Sequence, residues 1–188
     1  MLNDYMAENT KELLKNSLKE LLNKKPISKI SIRELTELVG VNRQTFYYHY
    51  KDIYDLVEDV IIDDFNQYKD DLVNKEYSPI INIYNILRKK KNVVNNIYSG
   101  ADIKKTNRIS INYVRKILGE NLDSYKDAEN LSEEDREFII KFFSLVIVGV
   151  IHIWVEDGMP NTLYEDLNRI QDILQLGIKM SVDKLSNS

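Results

Sequence analysis

The 188-residue sequence contains no cysteine, which excludes disulfides, thiolate metal sites and cysteine nucleophiles. Its only histidines are His49 and His152, and neither stands in an HExxH or ExxH pattern, so a metal centre is not expected. Glycine and proline are scarce, at six and three. Long turn-rich stretches are therefore absent, and no segment sustains the two-residue alternation of a strand. There is no glycine-rich phosphate loop and no candidate catalytic triad, so neither an enzyme nor a cofactor is expected. The longest apolar run is Leu145–Ile151, or to Val155 if His152 is allowed. That is short of the ~20 residues that cross a bilayer. The N-terminus lacks a basic stretch leading into an apolar one. The expected class is a soluble cytoplasmic protein with no membrane partner.

The charge present is unevenly placed. The net charge is −4, but residues 1–51 hold nine Lys/Arg and six Asp/Glu, a balance of +3. The remaining 137 residues carry −7. A basic head on an acidic body is the asymmetry expected if only the head meets phosphate.

Helical periodicity runs through most of the chain. Leu14, Leu18, Leu21 and Leu22 form one face of a first helix, from about Ala7 to Asn23, and Pro26 ends it. Ser31 and Glu34 make a capping-box pattern that opens a second helix ending near Val39. Gly40 supplies a turn, and Asn42 is a good N-cap for a third helix, Arg43 to His49 or Tyr50. A fourth periodic segment spans about Asp52 to Val73. Further helices are expected at 80–90, 93–98, 104–118, from Ser132 to Glu156, and at 163–184, with 119–130 as a loop. Phe138–Val155 is apolar on nearly all sides, and the last helix carries two apolar stripes. Both patterns exceed the needs of one small core and suggest a homodimeric four-helix interface.

The segment Ser31–Leu56 carries the functional signal. Two short helices joined at Val39-Gly40-Val41 are a helix-turn-helix, whose second helix can enter a major groove. Phe46 and Tyr50, four apart, should face inward. Arg43, Gln44, Thr45, Tyr47, Tyr48 and His49 occupy the other faces with no acid among them. Arginine can donate two bonds to guanine, glutamine can pair with adenine, and tyrosine, histidine and Lys51 suit phosphate.

Gly40, Val41, Asn42, Thr45, Phe46, Tyr47, Tyr48, His49, Tyr50 and Lys51 closely resemble the pattern of the TetR family of transcriptional regulators. The resemblance covers about residues 7–56. Many relatives carry a second lysine where this chain has Ile53, which removes one phosphate anchor. A narrower resemblance lies in Trp154-Val155-Glu156-Asp157-Gly158-Met159, which is similar to the DhaS-like subgroup, activators of dihydroxyacetone kinase operons. The family resemblance implies an all-α fold of about nine helices. A helix-turn-helix domain (1–52) would precede a helical sensing and dimerisation domain (53–188). It further implies binding of double-stranded operator DNA, dimerisation through the last two helices, and control by a small-molecule effector or a protein coactivator. The candidate DNA-contacting set is Ser31, Asn42, Arg43, Gln44, Thr45, Tyr47, Tyr48, His49 and Lys51. Candidate pocket residues are Tyr84, Tyr98, Tyr113, Phe142, His152 and Trp154, each of which could equally be ordinary core. A helical interaction protein without DNA binding remains the alternative class.

Overall fold

A computed structural model of the chain describes residues 2–67, 79–99 and 102–187. Every regular element among them is helical: α1 (Leu2–Leu22), α2 (Ile32–Val39), α3 (Arg43–His49), α4 (Ile53–Asn66), α5 (Pro79–Lys89), α6 (Lys91–Tyr98), α7 (Ile103–Leu122), α8 (Glu133–Glu156) and α9 (Thr162–Leu185). Short 3-10 turns sit at Ile27–Lys29 and Ala128–Asn130. The all-α architecture expected from the sequence is the one observed.

Local chemistry sets most of the boundaries. Ser31 Oγ accepts the Glu34 N–H at 3.1 Å, Asn42 Oδ1 the Thr45 N–H at 2.9 Å, and Ser132 Oγ the Asp135 N–H at 3.1 Å. Each such cap is worth about 1 kcal/mol. The reciprocal half of the capping box does not form as expected. The Glu34 carboxylate instead takes Lys25 Nζ at 2.6 Å, tying α2 to the segment after α1. Gly40 ends α2 at φ 75°, a left-handed backbone that glycine adopts without Cβ strain. α1 starts earlier than expected, and α7 continues through Gly119 to Leu122. The expected end of the fourth helix, residues 68–73, lies outside the described residues.

The chain forms two compact units: Met1–Tyr77 with Asn85–Thr106, and Ser78–Tyr84 with Asn107–Ser188. The expected boundary at 52/53 divides the chain by role; grouping by contact also places α4 and α6 in the first unit. In that unit α1 packs on α2, α4 and α6, and α2 packs on α3. Leu14, Leu18, Leu22, Leu35, Phe46, Leu56, Val57 and Val60 are fully buried there. Burying a side chain of this size contributes about 1.5–3 kcal/mol.

In the second unit α8 packs along α9. Ile139, Phe143, Ile147 and Val148 of α8 and Leu167, Leu174, Ile178 and Val182 of α9 are buried. A Cβ at Gly177 would come within 3.1 Å of the Phe143 ring, so glycine permits this close crossing. α8 is long and apolar enough to cross a membrane, with an 18-residue window of mean hydropathy 2.3. Counting uninterrupted apolar runs had missed that property. Here one face of α8 is packed on α9, while Phe138, Phe142, Leu145 and Ile153 are exposed on the other. Gly158 (φ 80°) and Met159 (φ 58°) end the helix, and the Met159 N–H returns to Trp154 O at 2.9 Å. Trp154 Nε1 donates to Pro160 O at 2.9 Å. The Trp-to-Met motif is thus a helix stop folded over its own indole.

Candidate nucleic-acid interface

α3 is divided into an anchored face and an open one. Phe46 and Tyr50 are 0 % and 4 % exposed, while Tyr47 and Tyr48 are 57 % and 81 % exposed. Arg43 and Gln44 are exposed as well, and Thr45 and His49 are half-buried. Phe46 and Tyr50 ring centroids lie 5.8 Å apart, as four-residue spacing requires. Tyr47 stands edge-on to Phe46 at 5.6 Å, so its ring leaves the core at a fixed angle.

A row of carboxylates on α4 ties that helix to the end of α3 and to α1. Asp55, Asp59 and Asp63 recur every four residues and so share one face. Asp55 accepts the Lys51 N–H at 2.9 Å, just past the end of α3. Asp59 accepts the Tyr50 hydroxyl at 2.6 Å. Asp63 pairs with the buried Lys15 of α1, which also meets Glu12 at 2.5 Å. Burial, reinforced by Asp59, pushes the Tyr50 hydroxyl far above its ordinary range. Burial alone would lower the Lys15 ammonium; its bonds to Asp63 and Glu12 outweigh that and raise it. Asp64, on the adjoining face, bridges Lys19 of α1 at 2.8 Å and Lys90, just before α6, at 2.5 Å. Sequence reading missed these carboxylates. The four-residue spacing was visible, but their partners were not.

The expected DNA-facing residues fall into two groups. Arg43, Gln44, Tyr47, Tyr48 and Lys51 are exposed. Ser31 and Asn42 are exposed too, but both serve first as helix caps. Thr45 Oγ1 donates to Asn42 Oδ1 at 3.2 Å, so its hydroxyl also serves the cap of its own helix. Burial, then the Lys11 charge, lowers the His49 pKa. Lys29, which sequence reading did not single out, is exposed. With Arg43 and Lys51 it enters no ion pair among the described residues.

The family pattern described as "Bacterial regulatory proteins, tetR family" matches residues 17–60, and "Transcriptional regulator C-terminal region" matches 74–176, more than half of the chain. The chain belongs to the TetR family. It is a DNA-binding transcriptional regulator of that type. Among solved structures the regulator is similar to "Dihydroxyacetone kinase operon activator DhaS", with TM-score 0.58 and 17 % identity over 91 % of this chain and 97 % of that one. At that identity the likeness shows the shared fold. NalD of Pseudomonas aeruginosa, described as the secondary repressor of the MexAB-OprM multidrug efflux pump, aligns with TM-score 0.46 and 13 % identity over 90 % and 97 %. No curated protein matches the regulator in sequence.

Five of the six candidate pocket residues belong to the second unit. Tyr84 and Trp154 stack at 4.8 Å in the second unit, with Tyr164 5.8 Å from Tyr84. Tyr113 and His152 are half-buried in that unit, and burial followed by the Glu120 charge pushes the Tyr113 hydroxyl up to about 12. His152 Nδ1 lies 3.4 Å from Glu156. Phe142 is on the open face of α8, against Phe138 at 6.2 Å. Tyr98 belongs to the first unit.

Proposed function

We propose that the regulator reads operator DNA as a homodimer, with the open face of α3 in the major groove. Arg43, Gln44 and Tyr47 meet base edges, Thr45 turns its methyl to thymine, and Tyr48, His49, Lys51, Ser31 and Asn42 meet the backbone. The observation that carries this reading is the division of α3. Two aromatic anchors are buried, and two neighbouring tyrosines project beside unpaired cations with no acid between them. Such a surface suits a polyanion with base edges and is costly to leave bare for any other reason.

The dimer is formed by α8 and α9. Of the thirteen exposed large apolar residues among those described, nine lie on these two helices. If each leaves on the order of 100 Å² open, together they match the ~800 Å² per partner of a standard interface. A small-molecule effector or a protein coactivator acts on the second unit and changes the spacing of the two heads, which must match two half-sites about 34–36 Å apart. The regulator works in the cytoplasm, where operators are accessible.

Tyr47→Ala and Thr45→Ala test the assignment. Each removes contacts at both half-sites, so operator affinity should fall at least about tenfold for Tyr47→Ala. Sedimentation should still show the dimer. Unchanged operator affinity by fluorescence anisotropy would refute the role given to α3.

A further inference from the structure

The junction between α3 and α4 is gripped by a segment fifty residues further along the chain. Asp52 sits three residues past α3 and caps α4. Its Oδ1 accepts the N–H groups of Tyr54 at 2.8 Å and Asp55 at 3.1 Å. Its other oxygen, Oδ2, accepts Lys105 Nζ at 2.7 Å. The same ammonium lies 4.7 Å from the centroid of the Tyr54 ring. The Tyr54 hydroxyl in turn accepts the Asp102 N–H at 3.0 Å. Three contacts therefore tie the first turn of α7 to the residues that follow the reading helix. Burial would raise the Asp52 carboxyl; the bonds from Lys105 and the two N–H groups outweigh it and hold it low.

A half-exposed ion pair is a weak fastener by itself. Two features make this one more than a surface pair. The next residue, Thr106, is 2 % exposed, and Ile109 is buried as well, so the turn that carries Lys105 is fixed in the fold. Moreover, Lys105 reaches a capping residue rather than a free side chain, and the cap sets where α4 starts. α7 itself begins in the first unit and continues, from Asn107, in the second.

We propose that Lys105 is a positioning residue for DNA reading: through Asp52 and Tyr54 it fixes the angle at which α3 leaves α4, and so couples the reading helix to α7. The inference rests on the reading of α3 as the DNA-facing helix. It assigns Lys105 no contact with DNA. Displacement of α7 draws on the α3–α4 junction through this lysine, and operator occupancy resists that displacement by the same link.

The test uses the full chain and a duplex enriched by the wild-type protein from a randomised library, beside a scrambled duplex of equal composition. Anisotropy titrations compare wild type, Lys105→Met, Lys105→Arg, Asp52→Asn and the Lys105→Met/Asp52→Asn double variant. Asp52→Asn keeps an oxygen for the cap and removes the charge. Lys105→Met should lose about tenfold on the enriched duplex and nothing on the scrambled one. Lys105→Arg should recover to within about twofold. The double variant should be no worse than either single one, because both break the same link. Thermal melts identify any variant that fails to fold, and Lys105→Arg and Asp52→Asn then carry the comparison. Wild-type affinity in Lys105→Met overturns the proposal. So does an equal loss on both duplexes with a shallower salt slope, which would make Lys105 a phosphate contact. If the wild type enriches no duplex, the DNA reading itself fails and the proposal falls with it.

Discussion

The regulator exposes aromatic and aliphatic side chains in two regions, and the two exposures have different chemistry. On α3 the open aromatics are tyrosines, each with a hydroxyl, set beside Arg43, Gln44 and Lys51. On α8 and α9 they are mainly phenylalanine, isoleucine, leucine and methionine. The first surface can exchange water for hydrogen bonds and phosphate. The second gains only by leaving water. Exposure alone therefore says that a partner is needed, and the polar atoms beside it say which kind. The regions also differ in how they are held. The end of α3 is mounted on α4 by Asp55 and Asp59, with Asp63 tying α4 to Lys15 of α1, whereas α8 and α9 are joined by apolar packing around Phe143 and Gly177.

The sharpest way to break this comparison is salt. Five of the nine cations in residues 1–51 are committed to ion pairs: Lys15, Lys19, Lys24, Lys25 and Arg33. Lys11 lies over the Tyr50 ring. That leaves Lys29, Arg43 and Lys51, three per head and six per dimer, for phosphate. Six contacts give a log–log slope of about −5, or a loss of roughly 10³ in operator affinity between 50 and 200 mM salt. Lys51→Ala should reduce the slope by about 2 in the dimer, one for each head. An exposed charge on the body, removed by Lys126→Ala, should leave it unchanged. A wild-type slope near −10 would mean that the paired cations let go of their carboxylates on DNA.

Alkali separates the regions through their buried tyrosines and lysine. Tyr50 and Lys15 both hold their protons more tightly folded than unfolded. Their contribution is therefore full below the unfolded values of 10.0 and 10.5 and is lost as pH rises through and beyond them. Between pH 9 and 11 the two together should remove about 2 kcal/mol of stability. Tyr113 adds a loss from the body over the same range. Tyr50→Phe should flatten the decline in urea midpoints over that range. An equally steep decline in the variant would show that Tyr50 and Asp59 do not hold the head together.

How far the sequence reveals these regions depends on distance along the chain. The caps at Ser31, Asn42 and Ser132 act over three residues; the first two were legible as caps and the third as a helix start. So was the inward pair Phe46 and Tyr50, because helical spacing dictates it. The start of α1 at Leu2 was not legible, since no capping residue marks it. Glu34 was misread because Lys25, nine residues back, competes for its carboxylate. Asp52 was legible as the start of a helical segment but not as the partner of Lys105, 53 residues away, since no periodicity links them. Least legible was the face that each aromatic of the body takes. A tyrosine or phenylalanine on an amphipathic helix carries no mark of the face it will take, and Phe142 took the open one.

The smallest expected effect bears on the body alone, and it concerns Gly149. This residue sits mid-helix in α8, exposed between Leu145 and Ile153. A Cβ there would meet nothing within 4 Å, unlike Gly177, where it would meet Phe143 at 3.1 Å. A helical glycine costs about 1 kcal/mol relative to alanine, and nothing among the described residues requires this one. If a second copy of α8 crosses at that point, the missing side chain lets the two backbones approach. Gly149→Ala should then have opposite effects on two measurements. Urea unfolding of the dilute monomer should become harder by up to about 1 kcal/mol, and the dimer dissociation constant by sedimentation should rise about tenfold. A stabilised monomer with an unchanged dimer would place the crossing elsewhere on the apolar face, and a weakened monomer would show that Gly149 serves the fold of α8 after all.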